Sequence, residues 1–388
     1  MVVEPKFRNN IFMNAHPVGC AAEVENQIDY VRGKQSVEGP SRVLVIGGST
    51  GYGLAARIVA GFGARAATVG IAFEKEGSEK RTGTAGWYNV LAFDKAAHAA
   101  GIISESINGD AFSQEIKAQA IEVIKKRLGK VDLIVYSLAS PVRTDPASGE
   151  TYRSVLKPIG RTYTKQSVDI MSGEIKEFTI EPATEEEINA TRKVMGGEDW
   201  ELWVDALLKA GVLAQGVKTV AFSYIGPEVT FPVYREGTVG KAKEHLEATA
   251  HSLSKKLAPI GGNAYVSVNK ALVTRSSAVI PVVPLYISLL FKVMKERNLH
   301  EGCIEQMSRL FTERLYSKGE VPVDEEGRIR IDDLEMRPDV QKAVMELWGR
   351  VSNENFEEIA DAEGYRKDFF KIHGFDVAGV DYSADVET

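Results

Sequence analysis

Two tyrosines and two lysines in the second half of the chain have side chains suited to proton transfer. Tyr224 follows an apolar run, Tyr234 lies further on, and Lys241 and Lys243 come shortly after it. A free phenol has a pKa of about 10, and a nearby ammonium favours the phenolate and lowers that pKa. The spacing therefore predicts a tyrosine–lysine pair that handles a proton during a reaction.

The two lysines cannot both belong to such a pair. Residues 236–258 read as a helix, in which two positions turn a side chain by about 200°. Lys241 and Lys243 must then point apart, so one of them faces Tyr234 and the other faces away. A spacing of six residues between Tyr234 and the lysine would select Lys241, and a spacing of eight would select Lys243. The spacing alone leaves both possibilities open.

A glycine-rich turn in the first part of the chain predicts a dinucleotide site. Four branched aliphatic residues, 43–46, suit a strand that is buried on both faces, and residues 54–60 have helical composition. Between them, small residues let the backbone approach a pyrophosphate, and the helix N-terminus offers N–H donors. The turn residues are Gly47, Gly48, Ser49, Thr50, Gly51 and Tyr52.

Further cofactor contacts are expected where later strands end, because open α/β sheets bind ligands at the carboxyl ends of their strands. Glu74 ends the second strand, where an acid binds the adenosine ribose hydroxyls and repels a 2′-phosphate. NADH is therefore favoured over NADPH. Asp110 and Ala111 end the third strand, and Leu138 and Ala139 follow the fourth.

The order of these elements predicts an α/β fold, since strands that alternate with helices form parallel sheets with right-handed crossovers. We expect a Rossmann-type doubly wound parallel sheet, with an inserted β-hairpin and helical segment and additional C-terminal helices. One elaborated domain would span residues 1–388. Its core would lie at about 40–140 and 219–275, its insertion at 141–218, and a substrate-covering helical region at 276–375.

Several boundaries of the elements follow from periodicity and turn residues. Residues 75–101 read as a longer excursion between the second and third strands. The predicted elements are strands at 67–73, 106–110 and 131–136, a helix at 113–128, a hairpin turning at Ser172-Gly173, strands at 219–225 and 264–268, and an edge strand at 377–382.

Bulk composition narrows the classes of protein. The 388 residues are 44% hydrophobic and 26% charged, as in ordinary soluble globular proteins. A net charge of −7 argues against nucleic acid as a partner. Cys20 and Cys303 are too few for a disulfide framework or a cysteine zinc site. We therefore expect no bound metal and a reducing, cytoplasmic environment.

No segment predicts insertion into a membrane. The longest apolar stretch, 278–291, is interrupted by Pro281 and Pro284 and is too short to span a bilayer. The N-terminus lacks the apolar core of a signal peptide. A cytoplasmic protein, monomeric and without membrane insertion, is the expectation.

Motifs along nearly the whole chain resemble those of one enzyme family, the trans-2-enoyl thioester reductases of the FabV type. This family belongs to the wider short-chain dehydrogenase/reductase superfamily. The segments that carry the resemblance are 16–20, 27–30, 48–53, 86–89, 108–112, 136–141, 194–200, 270–274, 284–286 and 300–303.

The resemblance implies roles for individual residues. It selects Tyr234 as proton donor with Lys243 as its partner, assigns Tyr224 to substrate binding, and makes 279–290 a cover over an acyl chain. NADH contacts are implied for Gly47, Gly48, Ser49, Thr50, Gly51, Tyr52, Phe73, Glu74, Asp110, Ala111, Leu138, Ala139, Lys243, Leu272, Val273 and Thr274.

The implied function is bacterial fatty acid synthesis, through NADH-dependent reduction of the trans-2 double bond of an enoyl thioester. The carrier of the substrate would be acyl carrier protein or coenzyme A, and the sequence leaves that choice open. Two alternatives remain. One is a ketoreductase acting on 3-oxoacyl thioesters, in which Ser223 would be the matching serine, and the other is a non-catalytic NADH-binding regulatory protein.

Overall fold

In the part of the chain that the structure describes, a seven-stranded sheet forms the centre and three two-stranded sheets lie around it. The computed structural model describes residues 1–8, 11–280 and 282–388. Its strands are β1 (Phe7–Arg8), β2 (Ile11–Phe12), β3 (Arg42–Ile46), β4 (Ala67–Ala72), β5 (Ser104–Asn108), β6 (Val131–Tyr136), β7 (Val142–Thr144), β8 (Thr151–Arg153), β9 (Tyr163–Asp169), β10 (Glu174–Ile180), β11 (Leu213–Ser223), β12 (Asn263–Val268) and β13 (Arg328–Arg330).

Helices cover both faces of the sheet and continue through the C-terminal part of the chain. Two of them run on into a π-helical turn, at Val59–Gly63 and Leu310–Leu315. The α-helices are α1 (Pro17–Arg32), α2 (Gly51–Ile58), α3 (Ala85–Ala99), α4 (Gln114–Arg127), α5 (Glu185–Met195), α6 (Glu198–Lys209), α7 (Thr238–Leu257), α8 (Val283–Glu296), α9 (Cys303–Arg309), α10 (Pro338–Trp348), α11 (Phe356–Ile359) and α12 (Ala362–Lys371).

The central sheet has the order β13-β12-β11-β6-β3-β4-β5, and its neighbouring strands are parallel. The chain builds outward from β3 through β4 to β5, and then returns to place β6 on the other side of β3. Strand order therefore reverses between β3 and β6, and a ligand crevice is expected outside their carboxyl ends. The predicted doubly wound parallel sheet is confirmed.

Alternating side chains of β3 hold the two helical layers against the sheet, because successive residues of a strand point to opposite faces. Leu44 and Ile46 pack in one buried cluster with Trp203, whereas Val43 and Val45 pack in the other. All four aliphatic side chains are fully buried. Burial of such a side chain stabilises the fold by about 1.5–3 kcal/mol.

The insertion contains the predicted hairpin. Strands β9 and β10 pair in antiparallel register from Asp169–Glu174 to Tyr163–Ile180. The predicted start of the next sheet strand at Thr219 was wrong, because β11 begins at Leu213. Its pairing with β6 shifts register between Leu213 and Lys218, and such an irregularity interrupts the alternation from which a strand is recognised.

The edge of the sheet was also predicted wrongly. The edge strand is β13, which pairs with β12, and residues 377–382 form no strand. There the Val377 N–H donates to the Tyr382 hydroxyl at 2.8 Å, which closes the segment on itself. Three residues of sequence Arg-Ile-Arg are too short to reveal a strand by their periodicity.

The apolar segment after β12 becomes a core helix. Along α8, residues such as Leu285, Ile287 and Leu290 are fully buried and pack against the β9–β10 hairpin and α12. Pro281 and the side chain of Val279, part of the predicted acyl cover, lie outside what the structure describes. Within the described ranges, no helix is long and apolar enough to cross a bilayer.

Candidate active site

The turn after β3 leaves its backbone open to an anion. Gly47 has a φ of 87°, in the left-handed region that favours glycine, and a Cβ on Gly53 would overlap the Gly47 carbonyl oxygen. Helix α2 starts at Gly51, and the side chain of its N-cap, Thr50, accepts no bond from the first N–H groups. These donors and the positive end of the helix dipole suit a pyrophosphate.

Two segments from other strands face this turn. The Leu138 Cδ2 atom lies 3.2 Å from where a Cβ would stand on Gly47, and the Thr274 methyl group lies 3.7 Å from the equivalent point on Gly51. Ser277 holds the second segment, because its hydroxyl oxygen accepts from the Thr274 N–H at 2.8 Å. Predicted contacts that follow β6 and β12 are thus brought together with the turn.

Glu74 is held at the same end of the sheet. Its carboxylate accepts from the Ser49 hydroxyl at 2.7 Å and pairs with Arg275, whose NH1 group lies 3.0 and 3.2 Å from the two oxygens. The Glu74 side chain is only 6% exposed. This arrangement ties the end of β4 to the turn after β3 and to the loop after β12.

The neighbouring predicted contacts at the ends of β4 and β5 differ in burial. Phe73 is 76% exposed, while Asp110 caps its own turn by accepting from an N–H two residues on. The Ala111 carbonyl accepts from the Lys117 ammonium and from the Trp203 indole, both at 3.0 Å. Buried contacts with α4 and the insertion therefore fix the turn after β5.

Tyr52 links the turn to a distant loop. Its hydroxyl donates to the Lys270 carbonyl oxygen at 2.7 Å, and its ring meets the edge of Phe222 at a centroid distance of 5.9 Å. Burial raises the Tyr52 pKa well above its usual value. An aromatic residue in a pyrophosphate turn is thus explained by the contact that its hydroxyl makes with the loop after β12.

Tyr224 and Tyr234 pack against each other at the carboxyl end of β11. Their rings meet edge to face, with centroids 5.0 Å apart and planes at 83°. Burial raises the pKa of Tyr234 to about 12. The expectation that a lysine lowers this pKa is not met, because desolvation alone accounts for the shift. The phenol therefore keeps its proton at neutral pH.

The structure distinguishes the two lysines. The Lys243 ammonium points inward and donates to the Phe222 carbonyl oxygen at 3.1 Å, and burial lowers its pKa to about 8. Lys241 points to solvent, pairs with Glu244 at 2.9 Å and keeps 48% of its side chain exposed. Since Phe222 also contacts Tyr52, Lys243 lies on the side of α7 that faces the glycine turn.

A buried carboxylate anchors the tyrosines from the C-terminal part of the chain. Glu335, which is 0% exposed, accepts from the hydroxyls of Tyr224 at 3.2 Å and Tyr286 at 2.7 Å. Its other oxygen accepts from the Ala271 N–H at 2.7 Å. Burial raises the Glu335 pKa, and the Lys270 ammonium opposes that shift.

Sequence reasoning missed two residues of this site, Arg275 and Glu335. Arg275 immediately follows the predicted contact Thr274, and its charge opposite Glu74 is a signal that could have found it. Glu335 carries no such signal, because it lies in an acidic and basic stretch far from Tyr224 along the chain. No cluster of three or more potential metal ligands occurs in the part of the chain that the structure describes.

Comparison with known families gives three matches that together cover most of the chain. The model described as the catalytic region of trans-2-enoyl-CoA reductase matches residues 81–316. The chain belongs to the trans-2-enoyl-CoA reductase family. The NAD(P)H-binding domain of the same reductase matches residues 2–79, and an enoyl reductase FAD-binding domain matches 323–386.

The name of the third match does not indicate a flavin site in this chain. Residues 323–386 contain β13 and helices α10–α12, and no glycine-rich turn joins that strand to the helix after it. What the segment contributes to the site is Glu335, the anchor of Tyr224.

Relatives named as enoyl-acyl-carrier-protein reductases and relatives named as enoyl-CoA reductases are equally similar to this chain. An NADH-dependent enoyl-[acyl-carrier-protein] reductase of Flavobacterium johnsoniae is 57% identical over 99% of this chain and 97% of its own length. An NADH-dependent trans-2-enoyl-CoA reductase of Ruminiclostridium cellulolyticum is 57% identical over 100% of this chain and 98% of its own length. Identity alone therefore does not distinguish the two carriers.

Solved structures of the family have the same fold. The Treponema denticola trans-2-enoyl-CoA reductase in complex with NAD is 59% identical, with a TM-score of 0.96 over 100% of this chain and 98% of that one. A Clostridium trans-2-enoyl-CoA reductase in complex with NADH is 46% identical, with a TM-score of 0.97 over 100% of this chain and 98% of that one. The predicted family, fold class and enzyme class are confirmed, while the roles of single residues stay predictions.

Proposed function

We propose that this protein uses NADH to reduce the carbon–carbon double bond of a trans-2-enoyl thioester in fatty acid synthesis. The observation that carries the proposal is that Lys243 is directed inward, against the Phe222 carbonyl oxygen of the strand that leads into Tyr224, whereas Lys241 faces solvent. Membership of the trans-2-enoyl-CoA reductase family supports the same reaction.

The proposed cofactor site fits a dinucleotide on structural grounds. The glycines of the turn let backbone segments approach more closely than a Cβ would allow, and the first N–H groups of α2, which receive no side-chain cap, are available to a pyrophosphate. Glu74 would bind the adenosine ribose hydroxyls by releasing Ser49 or Arg275. The proposed contacts are Gly47, Gly48, Ser49, Thr50, Gly51, Tyr52, Phe73, Glu74, Asp110, Ala111, Leu138, Ala139, Lys243, Leu272, Val273 and Thr274.

Tyr234 is the proposed proton donor. Bound NADH would supply a hydride to the β-carbon of the enoyl group. The Tyr234 hydroxyl, protonated because burial raises its pKa to about 12, donates a hydrogen bond to the thioester oxygen on which negative charge develops. The proton reaches the α-carbon directly or through the enol, which completes the saturated acyl thioester.

Lys243 is proposed to serve the tyrosine and the cofactor together. Its ammonium, now bound to the Phe222 carbonyl oxygen, can donate to the nicotinamide ribose hydroxyls and stabilise the tyrosine once its proton has left. The Lys243 pKa of about 8 leaves most of these side chains charged at neutral pH.

Tyr224 is proposed to contact the substrate through its ring. The Tyr224 hydroxyl donates its proton in a hydrogen bond to Glu335 and therefore cannot donate the same proton to the substrate. The Tyr224 ring packs edge to face with Tyr234. Tyr224 would then orient the acyl thioester beside Tyr234. A substrate-covering role for residues 276–375 is part of the same proposal.

A direct assay distinguishes this reaction from its alternatives. The wild-type protein is given NADH with crotonyl-CoA or with acetoacetyl-CoA, NADH absorbance is followed, and the products are identified by mass spectrometry. We expect butyryl-CoA from crotonyl-CoA. Formation of 3-hydroxybutyryl-CoA from acetoacetyl-CoA alone would support the ketoreductase, and NADH binding without turnover of either thioester would support the regulatory protein.

The setting of the protein is proposed from its composition. Two cysteines, neither of them in a disulfide, suit a cytoplasmic location. The proposed assembly is a monomer that acts on enoyl-CoA or enoyl-acyl carrier protein. Light scattering during gel filtration tests the assembly, since a mass near 42.5 kDa is expected for one chain. A mass near twice that value would contradict the monomer.

A further inference from the structure

A second cleft adjoins the proposed cofactor site and shares only Arg275, the partner of Glu74, with it. It encloses about 640 Å³ between the N-terminal hairpin, the loop that joins β4 to α3, the loop after β12, and α12. Neither the proposed cofactor contacts nor Tyr224 and Tyr234 line it. The cleft is adjacent to those contacts, because two of its lining residues, Lys75 and Arg275, directly follow Glu74 and Thr274 in the chain.

The walls of this cleft carry an excess of positive charge. Arg275 is paired with Glu74, but the other four cations form no ion pair within 4.0 Å with any residue that the structure describes. Two carboxylates, those of Glu4 and Glu76, also line the cleft. The five lysines and arginines that line the cleft are Lys6, Lys75, Lys80, Arg81 and Arg275. The N-terminal ammonium belongs to a further lining residue, Met1, and pairs with Asp385.

Such a grouping is unexpected in a chain with a net charge of −7. Four exposed cations without an ion pair among the described residues line one concavity, and an anion bound there would be attracted by their combined charge. Phosphate groups fit this arrangement best, since lysine and arginine side chains are the usual phosphate-binding groups of proteins.

The cleft also has exposed apolar side chains beside its cations. Met13 is 71% exposed and Ile11 is 53% exposed, and the Phe12 ring stacks on His373 with centroids 4.3 Å apart. A ligand that joins phosphates to an aromatic or aliphatic part would cover both kinds of surface.

We infer that this cleft binds the phosphate-bearing end of coenzyme A when the substrate is an enoyl-CoA. The inference rests on the proposed reduction of enoyl thioesters. Coenzyme A carries its phosphates and adenine at the end of the molecule opposite the thioester. With the acyl group at Tyr234, the proposed coenzyme therefore extends past the cofactor site as far as this cleft. Lys80 and Arg81 on one wall and Lys6 on the other contact the phosphates.

The size of the cleft favours coenzyme A over a carrier protein. Its volume lies within the range of about 300–1,000 Å³ that is usual for small-molecule sites. A docked protein would need a broad face of about 800 Å² on each partner. A 2′-phosphate of NADPH is a weaker fit, because the Glu74 carboxylate lies where that group would approach.

The test compares two thioesters that differ only in the proposed ligand. Crotonyl-CoA carries the phosphates and adenine, whereas crotonyl-pantetheine has the same reacting group and arm without them. Steady-state rates at saturating NADH are measured for the wild type and for the double variant K80Q/R81Q. Both substituted side chains are exposed and unpaired, so the fold should tolerate the change; circular dichroism checks this.

We expect the double variant to raise the KM for crotonyl-CoA roughly tenfold, as loss of two contacts at an exposed site predicts. Its kcat and its KM for crotonyl-pantetheine should stay within about twofold of wild type. Lys6→Gln, on the opposite wall, should shift the same KM in the same direction. The matched control K125Q/K126Q, on the outer face of α4, should shift neither KM.

Four results would overturn the inference. They are equal effects on the two thioesters, no effect on either, a raised KM for NADH or NADPH instead, or a raised KM for crotonyl-acyl carrier protein with that for crotonyl-CoA unchanged. The last result would assign the cleft to a carrier protein. If wild type reduced neither thioester, the proposed function would fail as well, so the two failures are distinguishable.

Discussion

The cofactor half and the reactive half of the proposed site are built in different ways. The cofactor half is centred on one continuous segment, in which β3 leads through the glycine turn directly into α2. The reactive half combines Tyr224 and Tyr234 after β11, Lys243 on α7, and Glu335 from the C-terminal region. One half depends on local backbone geometry and the other on contacts between distant elements.

This difference predicts how each half responds to damage. A change in the glycine turn should weaken cofactor binding and leave the chemistry of the bound complex largely intact. A change among the tyrosines, Lys243 or Glu335 should reduce turnover. Among these residues, only Lys243 is a proposed NADH contact, so only its loss should also weaken NADH binding.

Tyr234→Phe should have the largest effect on turnover. It removes the hydroxyl and keeps the ring that packs edge to face with Tyr224. We expect kcat with crotonyl-CoA to fall by about 10²- to 10⁴-fold, as for other lost proton donors. The Kd for NADH, measured by fluorescence titration, should change by less than about threefold. A large loss of NADH affinity would show that the two halves are not separable.

Gly53→Ala should damage the cofactor half instead. The added methyl group would overlap the Gly47 carbonyl oxygen and displace the turn. We expect the Kd for NADH to rise about tenfold and the free energy of unfolding to fall by about 1–3 kcal/mol. Gly349→Ala is the matched control, because the nearest atom to its Cβ is 3.6 Å away and its φ is −70°. Unchanged NADH affinity in Gly53→Ala would refute the turn as a cofactor site.

Glu335 tests whether a remote anchor matters to the reactive half. Glu335→Ala leaves two tyrosine hydroxyls and the Ala271 N–H without their acceptor, at a cost of about 1–3 kcal/mol for each group that stays buried. We expect a lower melting temperature and a kcat reduced about tenfold. Glu335→Gln keeps one acceptor oxygen and should fall between wild type and Glu335→Ala. Equal kcat in all three would show that Tyr224 needs no anchor.

The pH profile should give the smallest effect near neutrality. Burial lowers the Lys243 pKa to about 8, so its ammonium is present below that pH and is lost as the pH rises through it. We expect kcat/KM for crotonyl-CoA to halve near pH 8 and to fall further above it. In Lys243→Arg any remaining activity should persist to higher pH, because a guanidinium stays protonated. A wild-type profile that is flat to pH 10 would contradict this role.

The same contrast explains what could be predicted from the sequence. The β3–turn–α2 unit was recognised because its signals lie next to each other, and the hairpin was recognised from its alternation around Ser172-Gly173. Helix α3 lay within the stretch treated as an excursion, and β13 is too short to show a period. These elements are specified by packing against distant neighbours, which a local pattern does not record.

The catalytic pair shows where local spacing stops being informative. The helical repeat correctly required Lys241 and Lys243 to point apart, but both spacings from Tyr234 were acceptable, so resemblance had to choose between them. The structure places the Lys243 ammonium against the Phe222 carbonyl oxygen and pairs Lys241 with Glu244. The face of α7 that is buried is determined by how the helix packs on β11 and β12. The spacing between a tyrosine and a lysine carries no information about that packing.

The matched variants Lys243→Met and Lys241→Met, assayed with NADH and crotonyl-CoA, test the proposed catalytic pair. We predict that Lys243→Met lowers kcat/KM by about 10²-fold or more, because it removes the proposed contacts to the tyrosine and the ribose. Lys241→Met, which removes a solvent-exposed ion pair, should stay within about twofold of wild type. An equal or larger loss in Lys241→Met would contradict the proposed catalytic pair.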